Sequence, residues 1–237
     1  MFNLIKMNNE RKKRIKQRKE REKEQRRHEI INTAMDFFIS KGFNNTTMEE
    51  IAYKASLSKG TLYNYFDSKN DLYLAVSVIA IRKLNEFYEA IDLTSKSEME
   101  RLLTLGYAMY KFSKKFPELY KIASDIRTKP FFLNITQKVI EGASLNRNEA
   151  EINIETQRYQ KLMLDPIKKA IDNKIIRDDL TPTFLIATLT SLTGGLIDSL
   201  RNFKPLYESL GINPDDIFDL VFEWVTEGIK PKKKEEK

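Results

Sequence analysis

The chain has 237 residues, 41% apolar and 32% charged, enough for one large or two small domains with a sizeable core and a charge-rich surface. With no cysteine it excludes a disulfide framework, a thiol nucleophile and a zinc–thiolate site, and its one histidine, His28, lies between Arg27 and Glu29 at an expected helix start. The net charge of +7 is concentrated: twelve Lys/Arg against four Glu between Lys6 and Arg27 give that segment +8 and leave the remainder near −1.

One basic arm on a nearly neutral body points to a polyanion, most often nucleic acid; a solvated lysine-rich tail has the same composition. The arm reads either as an upstream continuation of the first helix or as a segment disordered when free. The opening "MFNLIKMNNERKKR" sets apolar residues before charges, the reverse of a secretory signal. No apolar run approaches the roughly 18–20 residues that span a bilayer. A cytoplasmic location without membrane association is therefore expected.

The pattern is helical nearly throughout, with no sustained alternation that would argue for a sheet. A first strong helix is expected over Arg26 to Lys41, with Ile30, Ile31, Ala34, Phe37 and Phe38 on one face and Gly42 at its left-handed end. Thr47 with Glu50 forms a capping box for a short helix ending near Ala55, whose apolar face is Met48, Ile51, Ala52 and Ala55. Ser58 caps a second short helix through Phe66, and Ser68 with Asp71 caps a long third one. Further helices are expected over Ser97–Lys115, Pro117–Ile126, Pro130–Leu145, Glu149–Asn173, Pro182–Asn202 and Pro214–Ile229, with proline in the first turn announcing those of "FPEL", "LTPTF" and "NPDDI". Pro166 is expected to kink or split its helix. The end, "KPKKKEEK", reads as a solvated tail.

Two short helices joined by a tight turn and braced by longer ones make a helix-turn-helix. On the second of them Leu62 and Phe66, four residues apart, form a narrow apolar stripe. Asn64 lies opposite, with Gly60 and Thr61 beside it and Tyr63 and Tyr65 on the flanks. Small and amide side chains suit close approach to base edges, and phenols on either side suit phosphates. On an isolated helix both tyrosines would read as core residues with only their hydroxyls exposed; Lys69 and the Thr47 cap nearby favour the phosphate reading.

The segment "RRHEIINTAMDFFISKGFNNTTMEEIAYKASLSKGTLYNYFDSKNDLY", Arg26 to Tyr73, resembles the DNA-binding domain of TetR-type (tetracycline-repressor-like) transcriptional regulators over about a fifth of the chain. The resemblance implies an all-α homodimer: an arm over 1–25, a helix-turn-helix domain over 26–73, a larger ligand-binding and dimerisation domain over 74–230, and a charged tail over 231–237. It implies that Ser58, Lys59, Gly60, Thr61 and Asn64 lie on the DNA face. Thr47, Tyr63, Tyr65 and Lys69 would hold phosphates of double-stranded DNA. Ser56 departs from the family, which usually has Gly in the turn; a positive φ there would cost Ser on the order of 1 kcal/mol. The arm is longer than the family usually carries, which suits added phosphate or minor-groove contacts.

Beyond residue 74 patterning is the guide. Thr188, Ser191, Gly194 and Gly195 allow close helix approach, and the last helix is apolar nearly all round. The resemblance implies that these two helices pair with their symmetry mates through Leu189, Leu192, Leu196, Phe218, Val221, Trp224 and Val225; completing the monomer core is the other reading. The aromatic and Met-rich middle helices are core or, as the resemblance implies, enclose a small-molecule effector. Tyr107, Tyr110, Phe131, Tyr159 and Met163 are the candidate lining, with Asp125 and Arg127 as polar contacts or a surface ion pair. No catalytic constellation, metal spacing, cofactor motif or phosphate-binding loop is present. The expectation is a repressor released from a pseudo-palindromic operator by an apolar or aromatic ligand. The rivals are an activator sharing the reader and a helical interaction module whose arm binds an anionic membrane or a protein partner.

Overall fold

The computed structural model describes the backbone of residues 2–231 and the side chains of residues 10–231 other than Arg127. Among these residues there are helices and no strands: α1 Phe2–Lys41, α2 Met48–Lys54, α3 Lys59–Tyr63, α4 Lys69–Glu89, α5 Glu98–Lys115, α6 Pro117–Asp125, α7 Pro130–Ile140, α8 Arg147–Asp172, α9 Pro182–Asn202, α10 Lys204–Ser209 and α11 Pro214–Ile229. Their starts are written in the sequence. Thr47, Ser58, Ser68, Ser97, Asn146, Thr181 and Asn213 each stand at an N-cap, and each side chain accepts a backbone N–H of the first turn. A cap of this kind is worth about 1 kcal/mol.

The differences from the sequence expectation are local. Helix α1 runs without a break through the basic arm and across position 25, and α4 runs across position 73, so neither head boundary coincides with a helix end. Helix α3 stops at Tyr63, with Asn64 as its C-cap, although Leu62 and Phe66 are both buried. Helix α7 ends at Ile140, because Gly142 takes a left-handed φ of 68°. Pro166 does not split α8. The short α10 was not foreseen; its six residues bury no side chain that would mark a face. Of the expected charged tail, residues 232–237 lie outside the described residues.

The head is α1 from about residue 26, α2, α3 and the first turns of α4. Its core of Ile30, Ala34, Phe38, Ile51, Leu62, Phe66 and Leu72 continues into the body through Ile122, Ile126, Ile135 and Ile152. A second core gathers Leu84, Tyr88, Phe112, Tyr120, Ile197 and Phe218. A third, Ile167, Ala170, Ile176 and Leu185, closes the far end. Helix α8 lies along α4 and is fastened to it by buried Glu155, which accepts from Arg82 (2.8 Å) and Asn85 (2.9 Å).

Helices α9 and α11 leave apolar surface uncovered: Leu192, Leu220 and Trp224 are exposed, while Leu189, Leu196, Val221 and Val225 are half-buried. Phe218 is different. It is buried within the protomer, stacked on Tyr110 with ring centroids 3.9 Å apart, and cannot serve an interface. Contrary to the sequence reading, α9 is by length and composition long and apolar enough to cross a membrane. Its Leu185, Gly194, Ile197 and Leu200 are nevertheless built into the protein core, and it carries Asp198 and Arg201.

Candidate nucleic-acid interface and effector cavity

The candidate reader is built from the turn outward. Helix α2 ends in a Schellman motif: Leu57 N donates to Ala52 O (2.8 Å) and Ser56 N to Tyr53 O (3.1 Å), which requires a left-handed residue between them. Ser56 occupies that position with φ 55°. Leu57 then turns inward, and the chain re-enters helix at Ser58, whose Oγ accepts Thr61 N (3.1 Å) and sits 2.8 Å from Thr61 Oγ1. Leu62 and Phe66 anchor α3 from below; Ser58, Lys59, Gly60, Tyr63 and Asn64 face outward, and Thr61 is half-buried.

Gly60 has no positive φ, and a Cβ built on it would meet only Ser58 Oγ at 3.9 Å. Nothing within the protomer calls for glycine there, although glycine costs roughly 1 kcal/mol in a helix. Lys59 is exposed and ion-paired with Glu49 of α2; that contact raises the lysine and lowers the glutamate from their ordinary pKa values. Thr47 caps α2 and is held by Glu50, whose Oε2 accepts both Thr47 N and Thr47 Oγ1 at 3.0 Å. Lys41 and these two donors hold the Glu50 carboxyl down at about 2.

The tyrosines divide. Tyr63 is 42% exposed at the end of α3, whereas Tyr65 is half-buried against the head core. Lys69 turns inward: its ammonium donates to Phe43 O (2.9 Å) and Thr46 O (3.0 Å) and lies 4.4 Å from the Phe43 ring centroid. It braces the α1–α2 loop and has one N–H left. Tyr53 on α2, 88% exposed beside the turn, was missed from sequence. Its signal was legible, since it lies off the Met48–Ile51–Ala52 face.

Behind the reader, three buried polar side chains join head to body. Arg27 of α1 donates to Asn148 Oδ1; Asn148 Nδ2 donates to Asp71 Oδ1 (2.8 Å) and Asp71 O (3.2 Å). Asn146 adds a donor to Asp71 (3.2 Å), and burial lowers the Arg27 guanidinium from its ordinary value. Asn146 and Asn148 belong to the start of α8.

Further along α8, Tyr159, Met163 and Ile167 line a narrow cavity of about 90 Å³, partly open to solvent, bounded also by α4, α5, α9 and α11. Its wall is apolar apart from the hydroxyls of Tyr88, Tyr159, Thr190, Thr193 and Thr226, and no charged side chain lines it. The Phe222 ring closes one side so tightly over Gly106 that a Cβ there would lie 2.6 Å from it.

Of the sequence candidates, Tyr159 and Met163 line this cavity and three do not. Phe131 belongs to the aromatic cluster with Phe43 and Tyr73 in the head–body seam. Tyr107 and Tyr110 turn towards α11, donating to Asp219 (2.6 Å) and Asp215; burial and Asp219 push Tyr107 up to about 12. Aromatic composition and the resemblance made them candidates but could not say which neighbour they meet. Asp125 also lies in the seam, accepting from Tyr73 (2.7 Å) and paired with Lys129 (2.9 Å); the Arg127 side chain lies outside the described residues.

The model of the family described as "Bacterial regulatory proteins, tetR family" matches residues 30–76, which hold α2, α3 and the reading turn. Residues 30–76 are therefore a TetR-type DNA-binding segment. The chain is 24% identical over 203 residues to an uncharacterized HTH-type transcriptional regulator, YerO, of Bacillus subtilis, covering 84% of the chain and 63% of YerO. It is 29% identical over 110 residues to the HTH-type transcriptional activator FasR of Mycolicibacterium smegmatis, covering 46% of the chain and 50% of FasR. The matches thus span less than two thirds of these relatives. The ketosteroid transcriptional regulator KstR2 of Mycobacterium tuberculosis shares the fold, with a TM-score of 0.59 at 18% identity over 87% of this chain and 96% of that one.

Proposed function

We propose that the protein is a sequence-specific DNA-binding transcriptional regulator, a homodimeric repressor working in the cytoplasm and released from a pseudo-palindromic operator by an uncharged lipophilic ligand. The observation that carries the reading is α3: a five-residue helix anchored by Leu62 and Phe66, with Lys59, Gly60, Thr61 and Asn64 as the candidate base-facing set. A glycine that the fold does not need is explained by close approach of base edges. In this reading Thr47, Ser58, Tyr53 and Tyr63 contact phosphates, with Tyr65 and Lys69 supporting them from the head side.

A second copy supplies the second reading head. The exposed Leu192, Leu220 and Trp224 of α9 and α11, with half-buried Leu196 and Val221 around them, are the surface that supports dimerisation, whereas Leu189 and Val225 line the cavity. The cavity supports the ligand class. A carboxylate or cation entering it would lose hydration without meeting an opposite charge, whereas a neutral body finds apolar walls and a few hydroxyls.

Coupling follows from α8, which lines the cavity at Tyr159 and Met163 and holds Arg27 and Asp71 at Asn148. A ligand that shifts α8 therefore shifts the seat of the head. Two heads must fit grooves about 34–36 Å apart, so a small pivot suffices; such coupling typically amounts to 1–3 kcal/mol. The test is selection of bound duplexes from random DNA, followed by competition with neutral and charged lipophiles. An enriched palindrome released by neutral compounds is expected. Failure to enrich any sequence would overturn the reader, and release only by charged compounds would overturn the ligand class.

A further inference from the structure

The first part of α1 stands clear of the body. Every side chain from Glu10 to Lys23 is exposed, and among the described residues the first polar contacts to another helix are Glu24 with Arg147 (2.6 Å) and Arg27 with Asn148. At about 100° per residue, Lys12, Lys16, Lys19, Lys23 and Arg26 recur at alternating spacings of four and three and fall on one face about 80° wide. The glutamates of the segment, Glu10, Glu20, Glu22 and Glu24, all lie outside that face. Arg18 pairs with Glu22 and Arg26 with Glu29, but the four lysines make no ion pair among the described residues.

Four unpaired cations at i, i+3 and i+4 spacing repel one another on an isolated helix, and a polyanion relieves that repulsion. The stripe from Lys12 to Lys23 is about 16 Å long, at roughly 1.5 Å per residue. A duplex offers about nine or ten phosphates over that length.

We propose that residues 10–23 of α1 form a rigid outrigger whose lysine stripe binds duplex phosphates outside the segment read by α3, lengthening the footprint of each protomer. The proposal rests on the reading of α3 as the base reader. Double-stranded DNA is the partner the surface fits. The arm is the same helix that seats the head through Ile30, Ile31 and Ala34, and Arg27 lies 5.1 Å from the ring of Phe66, just past α3. The rod thus starts beside the reading helix and cannot swing independently of it. A lipid surface fits less well, since Ile15 is the one apolar residue between Glu10 and Gln25 and leaves no face to insert.

The test compares the wild-type chain with a combined Lys12→Gln, Lys16→Gln, Lys19→Gln, Lys23→Gln variant, glutamine preserving helix propensity. Unchanged helicity by circular dichroism establishes that the rod still forms. The probe is the duplex recovered by selection from random DNA, used with its flanks and trimmed to its palindrome. Wild type is expected to bind the flanked duplex more tightly. The variant should bind both alike, with wild-type affinity for the trimmed one. Its salt slope on the flanked duplex should fall by about 3–4 for each protomer, from roughly 0.9 per neutralised phosphate.

Equal loss on both duplexes, or no flank preference in wild type, would overturn the outrigger. So would a stripe that matters only for sedimentation with phosphatidylserine vesicles. If selection enriches nothing, α3 has failed as reader, and mixed-sequence duplex then decides the stripe: a reduced slope supports it and an unchanged slope overturns it.

Discussion

Replacing Asn148 by alanine strips the joint between head and body of its central residue. Asn148 is 4% exposed, and its amide bridges Arg27 (7%) and Asp71 (8%), so water cannot replace what is lost without opening the seam. The substitution removes a hydrogen bond from each of two charged groups. Arg27 keeps Glu24 at 3.9 Å and the Phe66 ring; Asp71 keeps Asp67 N and Asn146 Nδ2, both at 3.2 Å. Hydrogen bonds to charged groups are worth about 1.5–3 kcal/mol each. Because each partner keeps other contacts, a net loss of about 2–4 kcal/mol is expected. For a chain of this size that lowers Tm by roughly 5–15 °C. Urea unfolding at fixed protein concentration measures it, and the ligand dependence of DNA binding should weaken in the same variant. A loss below about 0.5 kcal/mol, the scale of a neutral surface substitution, would refute the joint as a structural element.

Three further outcomes follow from single positions. Ser56→Gly should stabilise the head by about 0.5–1 kcal/mol, since relief of the left-handed penalty exceeds the added flexibility of the unfolded chain; a melt showing destabilisation would remove the strain assignment. Gly106→Ala gains helix propensity but drives a methyl into the Phe222 ring, for a net cost of about 1 kcal/mol that a second change, Phe222→Leu, should largely recover. Glu50, ordinarily near 4.5, should titrate at about 2 by carboxylate NMR. Because its folded pKa is depressed, its contribution is complete above the ordinary value and disappears as pH falls through about 2. A midpoint near 4.5 would mean the capping box is open in solution.

Much of this was legible in the chain, for reasons particular to each element. Caps such as Thr47, Ser58, Ser97 and Thr181 act within three residues, so their signal is local and their helices start where expected. Ser56 stood out because the resemblance expects glycine in that turn, and its φ is 55°. Long-range partners were not legible. Phe131, Tyr107 and Tyr110 have the composition of cavity residues, yet the seam and α11 claim them. Lys69 was expected to hold a phosphate, but Phe43 and Thr46, more than twenty residues upstream, present it with two carbonyls. Asn148 carried no sequence signal at all, because its meaning depends on Arg27 lying 121 residues away.

The central claim is that α3 presents its outer surface to DNA, and Gly60→Ala tests it most directly. The added methyl meets nothing in the protomer closer than 3.9 Å, so stability should hold or rise by up to about 1 kcal/mol. Affinity for the selected duplex should fall at least tenfold, because that methyl occupies the space in which base edges would lie. Unchanged affinity in a protein that melts at or above the wild-type temperature would contradict the account.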